Sequence, residues 1–256
     1  GGTREEEIAF PNSPWTLKPA ALLSDLGIDR LTLLNDFGAV AHAVDRADAN
    51  ELTHLGGPKA GLPEAGVITV MGPGTGLGVA FIARGSGGST VYETEASHIA
   101  FAPYDDVEDR ILHRFRQLYK RVSVERVLAG SGLSVIYATL CEIEGASPQP
   151  LTDRDLWALA RAGSDPIANA ALERYCLCLG AAAGDFVLAH GANALVMAGG
   201  LGERIGERLN TSGFHARMVD KGRFRSQLEA TPATRTLQAE PGRIGAAVAF
   251  AKEHAE

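Results

Sequence analysis

Short apolar runs that end in glycine or in small polar residues alternate with long stretches of helical periodicity. Leu31 to Leu34 runs into Asn35-Asp36, and Val67 to Met71 runs into Gly72-Pro73-Gly74-Thr75-Gly76-Leu77-Gly78. Each reads as a buried strand feeding a turn. Val79 to Ala83 is strand-like again, so the glycines are expected to close a β-hairpin. A Rossmann fingerprint would instead need a helix after the glycine turn.

From Val107 the pattern becomes helical, over Val107 to Tyr119, Gly132 to Ile143, Asp153 to Ala162 and Pro166 to His190. Thr152 with Asp155 resembles a capping box, Ser164 before Asp165-Pro166 reads as a helix start, and Gly191 reads as a stop. Ala194 to Ala198 is then a strand entering Gly199-Gly200, and Gly245 to His254 is a last helix. Strands fed by long helices define an α/β class.

Composition narrows the function classes. With 45% apolar residues in 256, the chain can bury a sizeable core. Its most apolar stretch, Cys176 to His190, is interrupted by Gly180, Gly184 and Asp185, short of the roughly eighteen uninterrupted residues of a membrane span. Gly1 to Glu7 has neither the basic start nor the apolar stretch of a signal peptide, so the cytoplasm is the expected location. A net charge of −7 without a sustained basic run gives no footprint for nucleic acid, and Lys120-Arg121 and Arg223 to Arg225 read as solvated surface. Three cysteines, Cys141, Cys176 and Cys178, lack metal-site spacing and read as core residues in a reducing compartment.

Four segments carry candidate chemistry. Asn35-Asp36 sits at a strand end, where α/β folds place ligands; a carboxylate there can take a proton from a hydroxyl while the amide orients it. Alone, that pair reads more simply as a turn. The Gly72 to Gly78 segment has four glycines in seven residues around Thr75, which lets backbone N–H groups approach phosphate oxygens. A tight hairpin needing positive φ explains it equally well. Glu95 and His98, on an expected loop, and Glu125 supply acceptors and a switchable donor suited to a polyhydroxylated ligand. A metal is the competing use, without a third ligand at suitable spacing, and a surface Glu-His pair is the plain alternative.

The order of the segments is more specific than any one of them. Leu33-Leu34-Asn35-Asp36-Phe37-Gly38-Ala39, the glycine turn, Glu95 to Pro103, Ser123 to Leu133, Met197-Ala198-Gly199-Gly200 and Lys221-Gly222-Arg223-Phe224 together resemble the bacterial glucokinases over nearly the whole chain. The resemblance implies a two-lobed, actin-like (ribonuclease-H-like) sugar kinase fold that phosphorylates glucose with ATP and Mg²⁺. Asp36 would be the base on the 6-hydroxyl, and Asn35, Glu95, His98 and Glu125 would hold the other hydroxyls. Gly72, Gly74, Thr75, Gly76 and Gly78 would form the second phosphate loop, and Gly199-Gly200 would lie against the adenosine. Residues 1–45 with 240–256 would make a small lobe and 46–239 a large one, the last helix returning to the first lobe. Glucose and ATP are the implied partners, and a homodimer the assembly to test.

Two departures from the family pattern carry expectations of their own. Its Glu-Gly-Gly-His has become Glu95-Ala96-Ser97-His98, two added β-carbons that are expected to restrict φ and to affect sugar preference. Its Gly-Asp-x-Gly-Gly-Thr loop is expected upstream of the Asn-Asp motif, yet 34 residues precede Asn35 and only Gly1-Gly2-Thr3 matches the tail of that loop. The small lobe therefore reads as incomplete, with the metal-side carboxylate unassigned. A kinase for another hexose and a sugar-binding protein without transfer activity are the alternatives. The cysteine cluster of zinc-binding relatives and the helix-turn-helix of related repressors are both missing, so zinc and DNA are set aside.

Overall fold

A computed structural model describes residues 7–9 and 14–255. Gly1-Gly2-Thr3 and part of the segment from Ala9 to Trp15 lie outside the described residues. The strands are β1 (Ile8–Ala9), β2 (Thr16–Leu17), β3 (Leu52–Gly56), β4 (Gly66–Pro73), β5 (Leu77–Gly85), β6 (Gly88–Thr94), β7 (Ala194–Met197) and β8 (Ala233–Thr236). The first seven helices are α1 (Pro19–Leu26), α2 (Asp36–Asp45), α3 (Asp106–Leu118), α4 (Val124–Leu128), α5 (Gly132–Ile143), α6 (Asp153–Ala162) and α7 (Pro166–His190). They are followed by α8 (Gly200–Arg204), α9 (Gly206–Thr211), α10 (Phe214–Val219), α11 (Arg225–Glu229) and α12 (Pro241–Glu253).

Six strands form one mixed sheet in the order β3-β8-β7-β4-β5-β6. The meander β4-β5-β6 is antiparallel, whereas β4, β7 and β8 run parallel. The parallel partners are joined by crossovers that include α7, the connection such pairs require. Alternation along β4 divides the core into two layers. Ile68 and Val70 pack with Ala80, Ile82, Ala194 and Val196 beneath Val40, Ala41 and Val44 of α2. Met71 and Leu195 face the other way, into the larger cluster built on α3, α5, α6, α7 and α10.

Several ends agree with the sequence signals. Asp165 caps α7 by accepting from Ala168 N at 2.7 Å with Pro166 in the first turn, and Gly191 stops it with φ 62°. Thr152 Oγ1 accepts from Asp155 N at 3.2 Å and donates to Asp155 Oδ2 at 2.7 Å, so the cap is made without the reciprocal backbone bond of a full box. Helix α12 begins at Pro241, four residues before the predicted start, and crosses α2 so closely that a β-carbon at Gly245 would collide with Ala39 O. Cys141, Cys176 and Cys178 are free and buried, and burial pushes the Cys176 thiol up to about 12.

Two expectations are corrected. Leu31 to Leu34 is half-buried and has no regular secondary structure: no ladder partner lies beside it among the described residues, and an apolar run alone does not supply one. Asn35-Asp36 therefore opens helix α2, which the sequence reading did not predict, rather than ending a strand. Glu95 precedes and His98 closes a single 3₁₀ turn, Ala96–His98, within the segment expected to be a loop.

Candidate active site

The site grows from the N-terminus of α2. Asn35 is its cap, with Oδ1 accepting from Phe37 N at 2.9 Å and Gly38 N at 3.1 Å. This satisfies two of the helix's open donors and leaves the Asn35 –NH₂ as the part of the amide able to donate outward. Asp36 follows at the first helical position, exposed, its Oδ1 accepting from Phe37 N at 2.7 Å. Burial of Val40 and Val44 against the sheet, about 1.5–3 kcal/mol for each side chain, holds the helix that presents this carboxylate.

Phe37 joins that helix to the glycine turn. Gly72 and Gly78 are paired in the β4-β5 ladder, and a β-carbon on Gly78 would collide with the Phe37 ring. At Gly72 a β-carbon would collide with Ala198 O and stand 3.0 Å from Phe37 Cζ. At Gly76 it would stand 2.6 Å from Glu125 Oε2. None of these glycines, nor Gly74, has a positive φ, so the hairpin alternative does not account for them. Close packing requires three. At Gly74, and at Gly200 on α8, a β-carbon would meet nothing within 4 Å; these two border open space, as does the exposed Thr75.

The adjacent strand end completes the floor. Ala198 N donates to Met71 O at 2.7 Å, and Gly199 turns with φ 84° beside Pro73 O. The two glycine segments thus lie side by side at the carboxyl ends of the parallel strands β4 and β7, where α/β sheets bind ligands.

Glu125, on α4, ties the turn to the third group. Its Oε2 accepts from Leu77 N at 3.2 Å, while Oε1 lies 3.8 Å from His98 Nε2. His98 Nε2 is also 3.6 Å from Glu95 Oε2. Both separations exceed a hydrogen bond, so the three side chains share a space without being spent on one another. Exposure sorts them: Glu95 is 77% and His98 55% accessible, against 25% for Glu125. Gly130 N holds Gly74 O at 2.9 Å, and Trp157 Nε1 holds Gly130 O at 2.7 Å, anchoring the turn to the helical layer. Ala96 and Ser97 fit the 3₁₀ turn with ordinary negative φ, so the added β-carbons cause no backbone strain.

All the residues singled out in the sequence therefore fall on one connected chain of contacts, from Asn35-Asp36 through the glycine turn to Glu125, His98 and Glu95 on one side and to Gly199-Gly200 on the other. Two participants were missed. Phe37 stood inside a quoted motif without a role. Glu93, on β6, accepts from Asn35 N at 3.0 Å across 58 residues of sequence, and strand alternation places it with Glu95 but says nothing of α2. Among the described residues, no group of three or more His, Cys, Asp or Glu is gathered for a metal ion, and no helix is long and apolar enough to cross a membrane.

The mixed sheet, with the glycine turn at the carboxyl ends of its parallel strands, belongs to the actin-like ATPase fold of sugar kinases. Solved structures share it. A glucokinase from an Antarctic psychrotroph superposes with a TM-score of 0.85 at 31% identity, covering 98% of this chain and 78% of that one. A ROK family glucokinase from Streptomyces griseus, solved with glucose and AMPPNP, has the same fold at a TM-score of 0.61 and 16% identity, over 97% of this chain and 78% of that one. The chain belongs to the Glucokinase family, whose profile matches residues 1–253. The glucokinase of Zymomonas mobilis subsp. mobilis is 48% identical over 256 residues, all of this chain and 79% of that protein.

Proposed function

We propose that the protein phosphorylates glucose at its 6-hydroxyl with ATP, and that Asp36 is the general base. The observation that carries this reading is the seat of Phe37 on Gly72 and Gly78, which puts the residue after the carboxylate in contact with the glycine turn. Proton acceptor and phosphate cradle are thereby held next to one another by a packing contact, and phosphoryl transfer depends chiefly on such positioning.

In this reading the Asn35 amide, Glu95, His98 and Glu125 hold the sugar's other hydroxyls. The 6-hydroxyl proton passes to the Asp36 carboxylate as that oxygen bonds to the γ-phosphorus, and the bond from phosphorus to the β-phosphate bridging oxygen breaks to release ADP. The turn around Gly74, Thr75 and Gly76 faces the phosphates, and Gly199-Gly200 borders the adenosine. Backbone N–H groups and the Thr75 hydroxyl are the donors this chain offers to the charge on the transferring group. Mg²⁺ normally keeps several waters and binds through one or two carboxylates plus substrate phosphates; carried with the nucleotide, it would supply neutralisation of phosphate charge. The lobe division at residues 45/46 and 239/240 belongs to the same proposal, supported by the close crossing of α12 on α2. Three free, buried cysteines support a reducing, cytoplasmic location.

The test is production of glucose 6-phosphate, followed with ATP, ADP and polyphosphate as donors and with glucose, mannose, fructose and N-acetylglucosamine as acceptors. Highest kcat/KM for glucose with ATP supports the proposal. Preference for another hexose would redirect it, and sugar-dependent melting without transfer to any acceptor would overturn it.

A further inference from the structure

The start of α2 is closed by a device assembled from two distant parts of the chain. In a capping box, the residue at the third helical position reaches back with a carboxylate to the N–H of the cap residue. Here the cap is Asn35 and the third position is Gly38, which has no side chain to send. The carboxylate comes from Glu93 instead, whose Oε1 accepts from Asn35 N at 3.0 Å. A β-carbon on Gly38 would collide with this same side chain, so the glycine makes the space that Glu93 fills.

Glu93 is itself fixed relative to the glycine turn. It pairs with Ala80 in the β5-β6 ladder, two residues along β5 from Gly78, against which Phe37 packs. The first turn of α2 is therefore held at two points by one strand pair, through the Phe37 ring and through the Asn35 N–H. Asp36 lies between them. Because a misplacement of about 1 Å can lower a rate roughly 100-fold, the second point bears on the chemistry although Glu93 itself is exposed.

We infer that Glu93 is a positioning residue for phosphoryl transfer, completing a capping box in trans that aims the Asp36 carboxylate. This rests on the reading of Asp36 as the base. Glu93 acts through Asp36 and needs no contact with substrate.

Steady-state kinetics of Glu93→Ala, Glu93→Gln, Asp36→Asn and the Asp36→Asn/Glu93→Ala double variant test it. Glu93→Ala is expected to lower kcat by about 10- to 100-fold, with KM for glucose and ATP within about twofold of the parent. In Glu93→Gln a carbonyl oxygen still accepts from Asn35 N, so kcat should recover to within about threefold of the parent. With the base removed there is nothing left to aim, so the double variant should be no slower than Asp36→Asn alone. Parent-like kcat in Glu93→Ala, or further loss from adding it to Asp36→Asn, overturns the inference. If Asp36→Asn itself keeps near-parent turnover, it is the reading of the base that fails.

Discussion

The aromatic ring of Phe37 occupies the space where Gly78 would carry a β-carbon. The residue after the proposed base and a glycine of the proposed phosphate turn therefore share one packing contact, and neither can change size without moving the other.

From that contact, Gly78→Ala is expected to displace the Phe37 ring, with an overpacking cost of about 1–3 kcal/mol. The larger effect should be on kcat, a loss of about tenfold or more in protein that remains folded, since the turn and Asp36 lose their common seat. Chemical denaturation and turnover measured on the same preparation would separate the two. Parent-like kcat would show that the ring accommodates the methyl group without shifting the helix.

Gly38→Ala carries an unusual sign. Alanine in place of glycine inside a helix normally stabilises by about 0.5–1 kcal/mol, but here the methyl group would evict Glu93 from the cap. The substitution should destabilise the parent and stabilise the Glu93→Ala variant, where the space is free. Urea midpoints of the four proteins give the answer; a stabilising effect in both backgrounds would contradict the packing at this position.

Much of this site was legible because its parts are local. The glycine spacing, the strands that flank it and the caps of α6 and α7 are written in short windows of sequence. Leu31 to Leu34 was misread because strand formation needs a partner that an apolar run does not specify. Helix α2 went unrecognised because Asn35-Asp36 serves a turn and a helix cap equally well. What no window contains is the meeting of Phe37 with Gly72 and Gly78, or of Glu93 with Asn35. Those contacts come from the order of strands in the sheet, and they distinguish a hairpin that needs conformational freedom from one that needs room for its neighbours.

Glu95 and Glu125 should behave differently although both face His98. Glu95 is largely exposed and is bound to nothing in the phosphate turn, so Glu95→Ala is expected to weaken glucose binding alone. Glu125 also accepts from Leu77 N, so Glu125→Ala leaves that amide unpaired, at a cost of about 1–3 kcal/mol, and should weaken both glucose and ATP. Titration calorimetry with each ligand would check this. Loss of glucose affinity alone in Glu125→Ala would mean that the Leu77 bond does not hold the turn.

Acid sensitivity should arise in part from His190. Burial lowers its pKa below the usual 6.5, and Nδ1 lies 2.9 Å from Thr69 Oγ1 between the Phe81 and Phe186 rings. The unfolded chain then binds this proton more readily than the folded one, so the stability contribution is complete above about pH 6.5 and is lost as pH falls below it. Denaturation midpoints between pH 7.5 and 5, a range of roughly this span around the free histidine value, should fall less steeply in His190→Gln than in the parent. Equal slopes would mean that His190 is not held neutral in the fold.

The role of Asp36 is tested most directly by Asp36→Asn, which keeps the shape of the side chain and removes the proton acceptor. Glucose affinity by calorimetry should stay within a few-fold of the parent, while single-turnover transfer from ATP to glucose should fall by about 10²–10⁴-fold, the usual contribution of a general base. Transfer within a few-fold of the parent, in a variant that is folded and binds glucose, would contradict the assignment of Asp36 as the base.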